Sequence, residues 1–225
     1  MQRKKFIKRL AIAVTSIPLL LEACKKESST SVTSNGTTAC GDPITPPVGE
    51  GPYYVNENLN RMDITEGKPG IPLTLVFKVE DINCQPILGG IVDIWHCDAG
   101  GVYSDESSQS TLGQKWLRGL LQTGADGKCT FKTIFPGWYN GRLTHIHGKV
   151  KVGSVTKQTT NFFLPKAAEQ AVYATAAYAS KGQNSTTVAQ DVELKGNTTS
   201  YNTLMMDITG DVSTGYIANY TIAYS

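Results

Sequence analysis

Two histidines one residue apart, His145 and His147, stand out in a chain that holds only three. Alternate side chains of a β-strand share a face, so a His-x-His pair can turn two imidazole nitrogens toward one metal ion. The flanking residues fit a strand. Ile146, Val150 and Val152 form its apolar side, and His145 and His147 lie with Lys149 and Lys151 on the polar side. These histidines are therefore not expected in the core. A strand pair facing water needs no metal, so further donors decide the reading.

Two tyrosines supply candidates. Tyr139 ends the run Pro136-Gly137-Trp138-Tyr139, and Tyr103 follows a strand-like run, Ile91 to Cys97, and the turn Asp98-Ala99-Gly100-Gly101. Phenolate oxygen with imidazole nitrogen suits a hard, highly charged ion such as ferric iron. Such an ion can hold a phenol, whose ordinary pKa is about 10, as its anion at neutral pH. Arg142 lies three residues before His145. It reads either as a fixed cation beside developing negative charge or as a salt-bridge partner supporting the histidine strand. His96 shares a face with Ile94 and Asp98 and reads as structural, and Asp98, beside Ala99 and Gly100, as a turn former.

From Gly49 to Pro165 the chain resembles the intradiol ring-cleavage dioxygenases, the family of catechol 1,2-dioxygenase and protocatechuate 3,4-dioxygenase, and most of all their short exported branch. The resemblance runs in order through Glu50-Gly51-Pro52-Tyr53-Tyr54, Asp63 to Gly70, Val92 to Tyr103, Phe135-Pro136-Gly137-Trp138-Tyr139 and Arg142 to His147. It implies four ligands for a non-haem Fe(III), namely Tyr103, Tyr139, His145 and His147, with Arg142 catalytic and Tyr139 the phenolate that leaves when substrate binds. It also implies cleavage of a catechol-type aromatic by O2 between the hydroxyl-bearing carbons, giving a muconate-type diacid. Pro52, Tyr53 and Trp138 are candidates for the substrate-pocket wall. A family glutamine of the pocket falls on Asn161, which keeps the amide with a shorter reach.

The elements that must position these residues begin with an export signal. Arg3, Lys4, Lys5, Lys8 and Arg9 precede the apolar run Leu10 to Leu21, too short to span a bilayer. Leu21-Glu22-Ala23-Cys24 resembles a bacterial lipoprotein cleavage site, which implies removal of residues 1–23, lipidation of Cys24 and anchoring to a bacterial membrane. Removing that signal leaves 16 basic against 18 acidic residues, with no basic stripe for nucleic acid. Residues 24–39, rich in Ser and Thr, read as a flexible tether, and the folded domain is expected over residues 40–225.

Alternation at Leu73, Leu75, Phe77 and Val79, and again at Phe131, Thr133 and Phe135, predicts short strands, and Asp126-Gly127 is a hairpin signal. A proline opens the alanine-rich stretch Pro165 to Ala179, the place for one short helix. The expected fold is all-β, a single β-sandwich carrying the metal site on its loops and edge. The expected state is a monomer. Cys40, Cys84, Cys97 and Cys129 are either paired into two disulfides or buried thiols. Two other functions fit parts of the pattern: a non-catalytic lipoprotein binding module, and a copper or zinc protein that would need neither tyrosine.

Overall fold

The computed structural model describes residues 36–225. The signal segment 1–23, Cys24 and most of the expected tether lie outside the described residues. Contacts with the domain begin slightly ahead of the expected boundary, with a bridge between Thr37 and Pro43 and a bond from Ala39 N to Ile82 O.

Among the described residues, eight strands form two four-stranded sheets. Strand β1 (Pro72–Asp81) lies between β4 (Lys128–Ile134) and β8 (Gly215–Tyr224), and β8 also pairs with β7 (Asp207–Asp211). Strand β1 runs antiparallel to β4 and parallel to β8. The second sheet has the order β3 (Arg118–Gln122), β2 (Ile91–Trp95), β5 (His145–Val152), β6 (Val155–Phe163), antiparallel throughout. Helix α1 (Lys166–Tyr173) follows Pro165 as expected, and a second short helix, α2 (Thr198–Thr203), gives no sequence signal beyond its cap, where the Asn197 side chain accepts from Ser200 N.

Period-two alternation builds the core. Leu73, Leu75, Phe77 and Val79 are all buried from the inner face of β1, against Val92 and Ile94 of β2, Ile146 and Val150 of β5 and Phe162 of β6. The Phe77 and Phe162 rings meet across the sandwich with centroids 4.8 Å apart. The Asp126-Gly127 turn forms, but not as the expected hairpin: it joins β3 of one sheet to β4 of the other. Strand β3 finds its partner in β2 instead, so the local turn signal serves a crossing between layers. Cysteine usage is mixed, with a Cys40–Cys84 disulfide and buried free thiols at Cys97 and Cys129.

The outer face of the second sheet carries the polar alternates, and it is not open to water. Asp93 and Trp95 of β2, His145, His147 and Lys149 of β5, and Asn161 and Phe163 of β6 are all buried there. Two chain segments cover them. On one side, Tyr54 donates to Asp93 at 3.0 Å, and Asn60 bridges Leu120. On the other, Leu194 and Leu204 pack with Leu143 and Phe163 in a satellite cluster.

His96, just beyond β2, ties the two sheets together. Its Nδ1–H donates to the Cys97 carbonyl at 2.8 Å, and Nε2 accepts from the Thr133 hydroxyl of β4 at 2.7 Å. Burial pushes the imidazole down to about 4. The unfolded chain takes up this proton near pH 6.5, so the stabilisation is complete above that pH and is lost as pH falls toward 4. Between pH 7 and pH 4 the metal-free domain should lose about 3 kcal/mol more unfolding free energy than its His96→Gln variant. Parallel pH profiles of urea unfolding for the two proteins would contradict this.

Candidate metal centre

Four side-chain donors converge on the covered face. His145 Nε2 stands 3.0 Å from His147 Nε2, which is 3.1 Å from the Tyr103 hydroxyl, and the Tyr139 hydroxyl is 3.3 Å from His145 Nε2. The two histidines share a face because they are alternate residues of β5. Both are buried, and Gly51, at φ +71°, lays its backbone against the His147 ring, where a Cβ would sit 3.2 Å from Cε1. The two tyrosines come from loops locked to each other. Gly101, at φ +81°, sits so close that a Cβ would lie 2.1 Å from the Trp138 carbonyl oxygen, and Gly137 N bonds to Asp98 O at 3.0 Å.

Three of the four donors are held from behind. The Leu143 carbonyl can only accept, so His145 Nδ1, 2.6 Å away, carries the proton and leaves the Nε2 lone pair facing the cluster. His147 is sandwiched by register. Trp95, His147 and Asn161 are direct cross-strand partners on β2, β5 and β6, and the Trp95 and His147 rings lie 2° from parallel with centroids 4.9 Å apart. Tyr103 is stacked on Tyr53 at 4.3 Å. Its turn is held by the buried Arg118, which donates to Ser104 Oγ, Ser104 O and Tyr53 O at 2.7–2.8 Å.

Arg142 is almost fully buried and all three of its guanidinium nitrogens are engaged. Nε donates to both carboxylate oxygens of Asp191, the nearer at 3.1 Å; Nη2 donates to Asn161 Oδ1; and Nη1 stands 3.4 Å from the Tyr139 hydroxyl. The salt bridge read from the sequence is therefore present at the start of the histidine strand, and the same guanidinium lies against the cluster.

Of the pocket-wall candidates, Tyr53 lies on the cluster, edge-on to Tyr139 as well as stacked on Tyr103, and Pro52 is exposed beside it. Trp138 turns its indole N–H to Gly182 O at 2.9 Å and packs on the main core. Asn161 departs from the expected pocket wall. It is fully buried behind His147, and its amide is committed to Arg142, to His147 Nδ1 at 2.9 Å and to Thr160 O at 2.8 Å. Asp191, Arg118 and Trp95 were not singled out by motif. Asp191 lies in a stretch without periodicity, where the only signal is that a buried arginine requires a counter-charge. His96 and Asp98 stay outside the cluster. Asp98 accepts from Gly100 N and Val102 N in its own turn and pairs with Lys68 at 2.6 Å.

The donor set fits a metal ion. Donors about 2.0–2.1 Å from one ion, at right-angle to tetrahedral spacing, stand about 2.9–3.4 Å apart, which matches the separations here. Burial, with the Arg142 charge adding to it, drives both imidazoles well below their ordinary range, so they are neutral. His145 presents its Nε2 lone pair, whereas His147 accepts from the Asn161 amide at Nδ1, so its Nε2 carries the proton that a metal ion would displace. Burial raises Tyr103 well above the ordinary phenol value and pushes Tyr139 up to about 12. A cation supplies the charge that reverses that preference. Cys40, Glu80 and Cys84 also lie together, but the two sulfurs are bonded to each other and cannot ligate.

Removing the Asn161 amide should expose how much of this support is structural. Asn161→Ala leaves Arg142 Nη2 and His147 Nδ1 without their buried partner, so metal-free protein should lose about 1–3 kcal/mol in urea unfolding. An unchanged midpoint and slope would show that the amide is not needed.

Comparisons with known proteins identify the family. The sequence model of a family described as Dioxygenase matches residues 49–205. Catechol 1,2-dioxygenase 1 of Acinetobacter lwoffii is 30% identical over 141 residues, 52% of this chain and 45% of the relative. The 6-chlorohydroxyquinol 1,2-dioxygenase of Cupriavidus pinatubonensis is 30% identical over 140 residues, 53% of this chain and 50% of that protein. The chain thus spans about half the length of the curated relatives it matches. Among solved structures, an intradiol ring-cleavage dioxygenase from Tetranychus urticae superposes with a TM-score of 0.72 at 26% identity, covering 81% of this chain and 94% of that one. The dioxygenase domain of a carbohydrate-binding fusion protein from Streptomyces sp. SirexAA-E gives 0.60 at 28% identity, covering 81% and 98%. With the family match spanning the cluster and both loops that build it, the chain belongs to the intradiol ring-cleavage dioxygenase family.

Proposed function

We propose that the protein is a non-haem Fe(III) dioxygenase that opens the ring of a catechol-type aromatic with O2, between the two hydroxyl-bearing carbons, to give a muconate-type diacid. The observation that carries this reading is the buried two-tyrosine, two-histidine cluster with Arg142 against one of the tyrosines. Two phenol oxygens with two imidazoles favour a hard trivalent ion over copper or zinc. When bound, ferric iron supplies the Lewis acidity that lets a catechol chelate as an anion and makes its ring reactive toward O2. Catechol and 6-chlorohydroxyquinol, in the names of the relatives, both offer adjacent hydroxyls, and we take that edge as the feature this site recognises.

The residues divide the work by their burial. Tyr103 is fully enclosed beneath Tyr53 and stays in place. Tyr139 is only partly buried, sits next to exposed Asn140, and is the phenol able to swing away and take a proton from a catechol hydroxyl at its own oxygen. Arg142 Nη1, already 3.4 Å from that oxygen, stabilises negative charge that develops beside it in a site shielded from water. Leu143 O fixes the ring of His145 and the Asn161 amide that of His147, so both Nε2 atoms keep their direction; His147 gives up its Nε2 proton when the metal is bound.

The export signal and the Cys24 anchor complete the proposal. The domain would work on a membrane surface, tethered through the Ser- and Thr-rich segment. Cys24→Ser should move the protein from the membrane to the soluble fraction of expressing bacteria; unaltered fractionation would remove the anchor from this reading.

The site itself is tested by the domain loaded with iron. It should show a broad tyrosinate-to-iron absorption that shifts when catechol is added without oxygen. Tyr139→Phe should weaken that band and cut ring cleavage by about 100-fold or more. A colourless wild type, or a Tyr139→Phe variant with full activity, defeats the assignment.

A further inference from the structure

We propose that Asp191 is the positioning residue of this centre, setting the direction of Arg142 and of the peptide that orients His145; this rests on the ring-cleavage reading above. The Asp191 carboxylate is completely buried and accepts from four N–H groups, one of which, Arg142 Nε–H, is shared between its two oxygens. Oδ1 takes Arg142 Nε at 3.3 Å, Glu193 N at 3.0 Å and Leu194 N at 3.0 Å; Oδ2 takes Arg142 Nε at 3.1 Å and Leu143 N at 2.8 Å. Two of its donors are backbone groups of its own turn, so the carboxylate is fixed before it meets the arginine. That turn is also pinned to the arginine's segment, with Val192 N bonded to Gly141 O at 3.1 Å.

Two lines of control leave this carboxylate. The first runs through Arg142. With Nε held by Asp191 and Nη2 by Asn161, the planar guanidinium has one orientation left, and in it Nη1 points at the Tyr139 oxygen. The second runs through Leu143. Its N–H donates to Asp191 and its carbonyl accepts from His145 Nδ1 at 2.6 Å, so the same carboxylate sets the peptide plane that aims His145 Nε2 into the cluster. A buried arginine without a counter-charge would also be strongly unfavourable, which makes Asp191 the condition for placing a guanidinium here at all. A residue that merely stapled a surface turn would need only the Glu193 and Leu194 contacts and would have no reason to be charged.

The experiment separates positioning from stapling by comparing Asp191→Asn with Leu194→Ala. Leu194 is buried in the same turn but its side chain packs in the satellite cluster. At matched loss of thermal stability and equal iron content, Asp191→Asn should lower kcat for catechol cleavage by about 10- to 100-fold while Leu194→Ala stays near wild type. In an Arg142→Gln background the Asp191→Asn change should cost clearly less than in the wild type, leaving only the part that runs through Leu143 and His145. In metal-free protein labelled with nitrogen-15, the Arg142 Nε–H signal should exchange slowly in the wild type and rapidly in Asp191→Asn. Equal kcat in Asp191→Asn and Leu194→Ala, or the same fall with and without Arg142, overturns the proposal. If Asp191→Asn does not fold, Asp191→Glu takes its place, since it keeps the charge but displaces the guanidinium. A folded Asp191→Glu with reduced kcat supports positioning, and one with wild-type kcat overturns it. A wild type that binds iron yet cleaves no catechol sinks the ring-cleavage reading, whereas the slow Nε–H exchange reads the Asp191–Arg142 pair independently of it.

Discussion

Enclosing four lone-pair donors within about 3 Å of their neighbours, away from water, is the condition on which the rest of this structure depends. Neutral imidazoles and phenols can share a few protons among themselves, and the metal-free protein does so through the contacts linking Tyr139, His145, His147 and Tyr103. That arrangement is a compromise in which burial raises the phenols and depresses the imidazoles. A highly charged cation would satisfy all four donors together, and three of them, Tyr103, His145 and His147, are locked from their far side.

The sandwich makes this possible because its second sheet is buried on both faces. The inner face holds aliphatic and aromatic residues against the first sheet. The outer face is polar by alternation, and the segments around Tyr53 and around Leu194 lie over it. Gly101 marks a place where backbone approaches closer than a side chain allows, and Gly51 one where a Cβ would crowd the His147 ring. Buried charges on this face are placed with their partners: Arg142 with Asp191, Arg118 with two carbonyls and a hydroxyl, Lys149 with Glu50 and the face of Tyr54. The result is a packed shell in which Tyr139 is the least enclosed of the four donors.

Much of this was legible in the sequence, for reasons specific to each part. Strand β1 announced itself because its buried residues alternate without a break, and the His-x-His pair fell on the correct face of β5 for the same reason. What alternation could not show was that the polar face would be covered. The covering segments are irregular, so His145 and His147 read as solvent-facing although they are enclosed. The Asp126-Gly127 turn was likewise visible as a turn but not as a crossing between sheets, since a turn fixes local chain reversal and leaves the pairing of the strands beyond it to packing. Asp191 was hidden most completely. It belongs to a Ser-, Thr- and Asn-rich stretch whose structure is set by side-chain to backbone bonds, which leave no periodic trace.

Asn161, the departure from the family pattern, becomes intelligible through register. Because it pairs directly with His147 across β5 and β6, its Cβ begins about 5 Å from that of the histidine. A single methylene then suffices to bring the amide nitrogen to Nδ1, while the amide oxygen faces the arginine arriving from the loop before β5. Arginine has no acceptor, so its contact with Asn161 must be made by oxygen, and the orientation of the amide follows from that alone. A longer glutamine side chain would have to fold back within a fully packed layer to make the same pair of contacts. The shorter residue therefore belongs to the geometry of this centre, in which Arg142 is drawn back onto Asp191 and the cluster is supported by direct cross-strand contact.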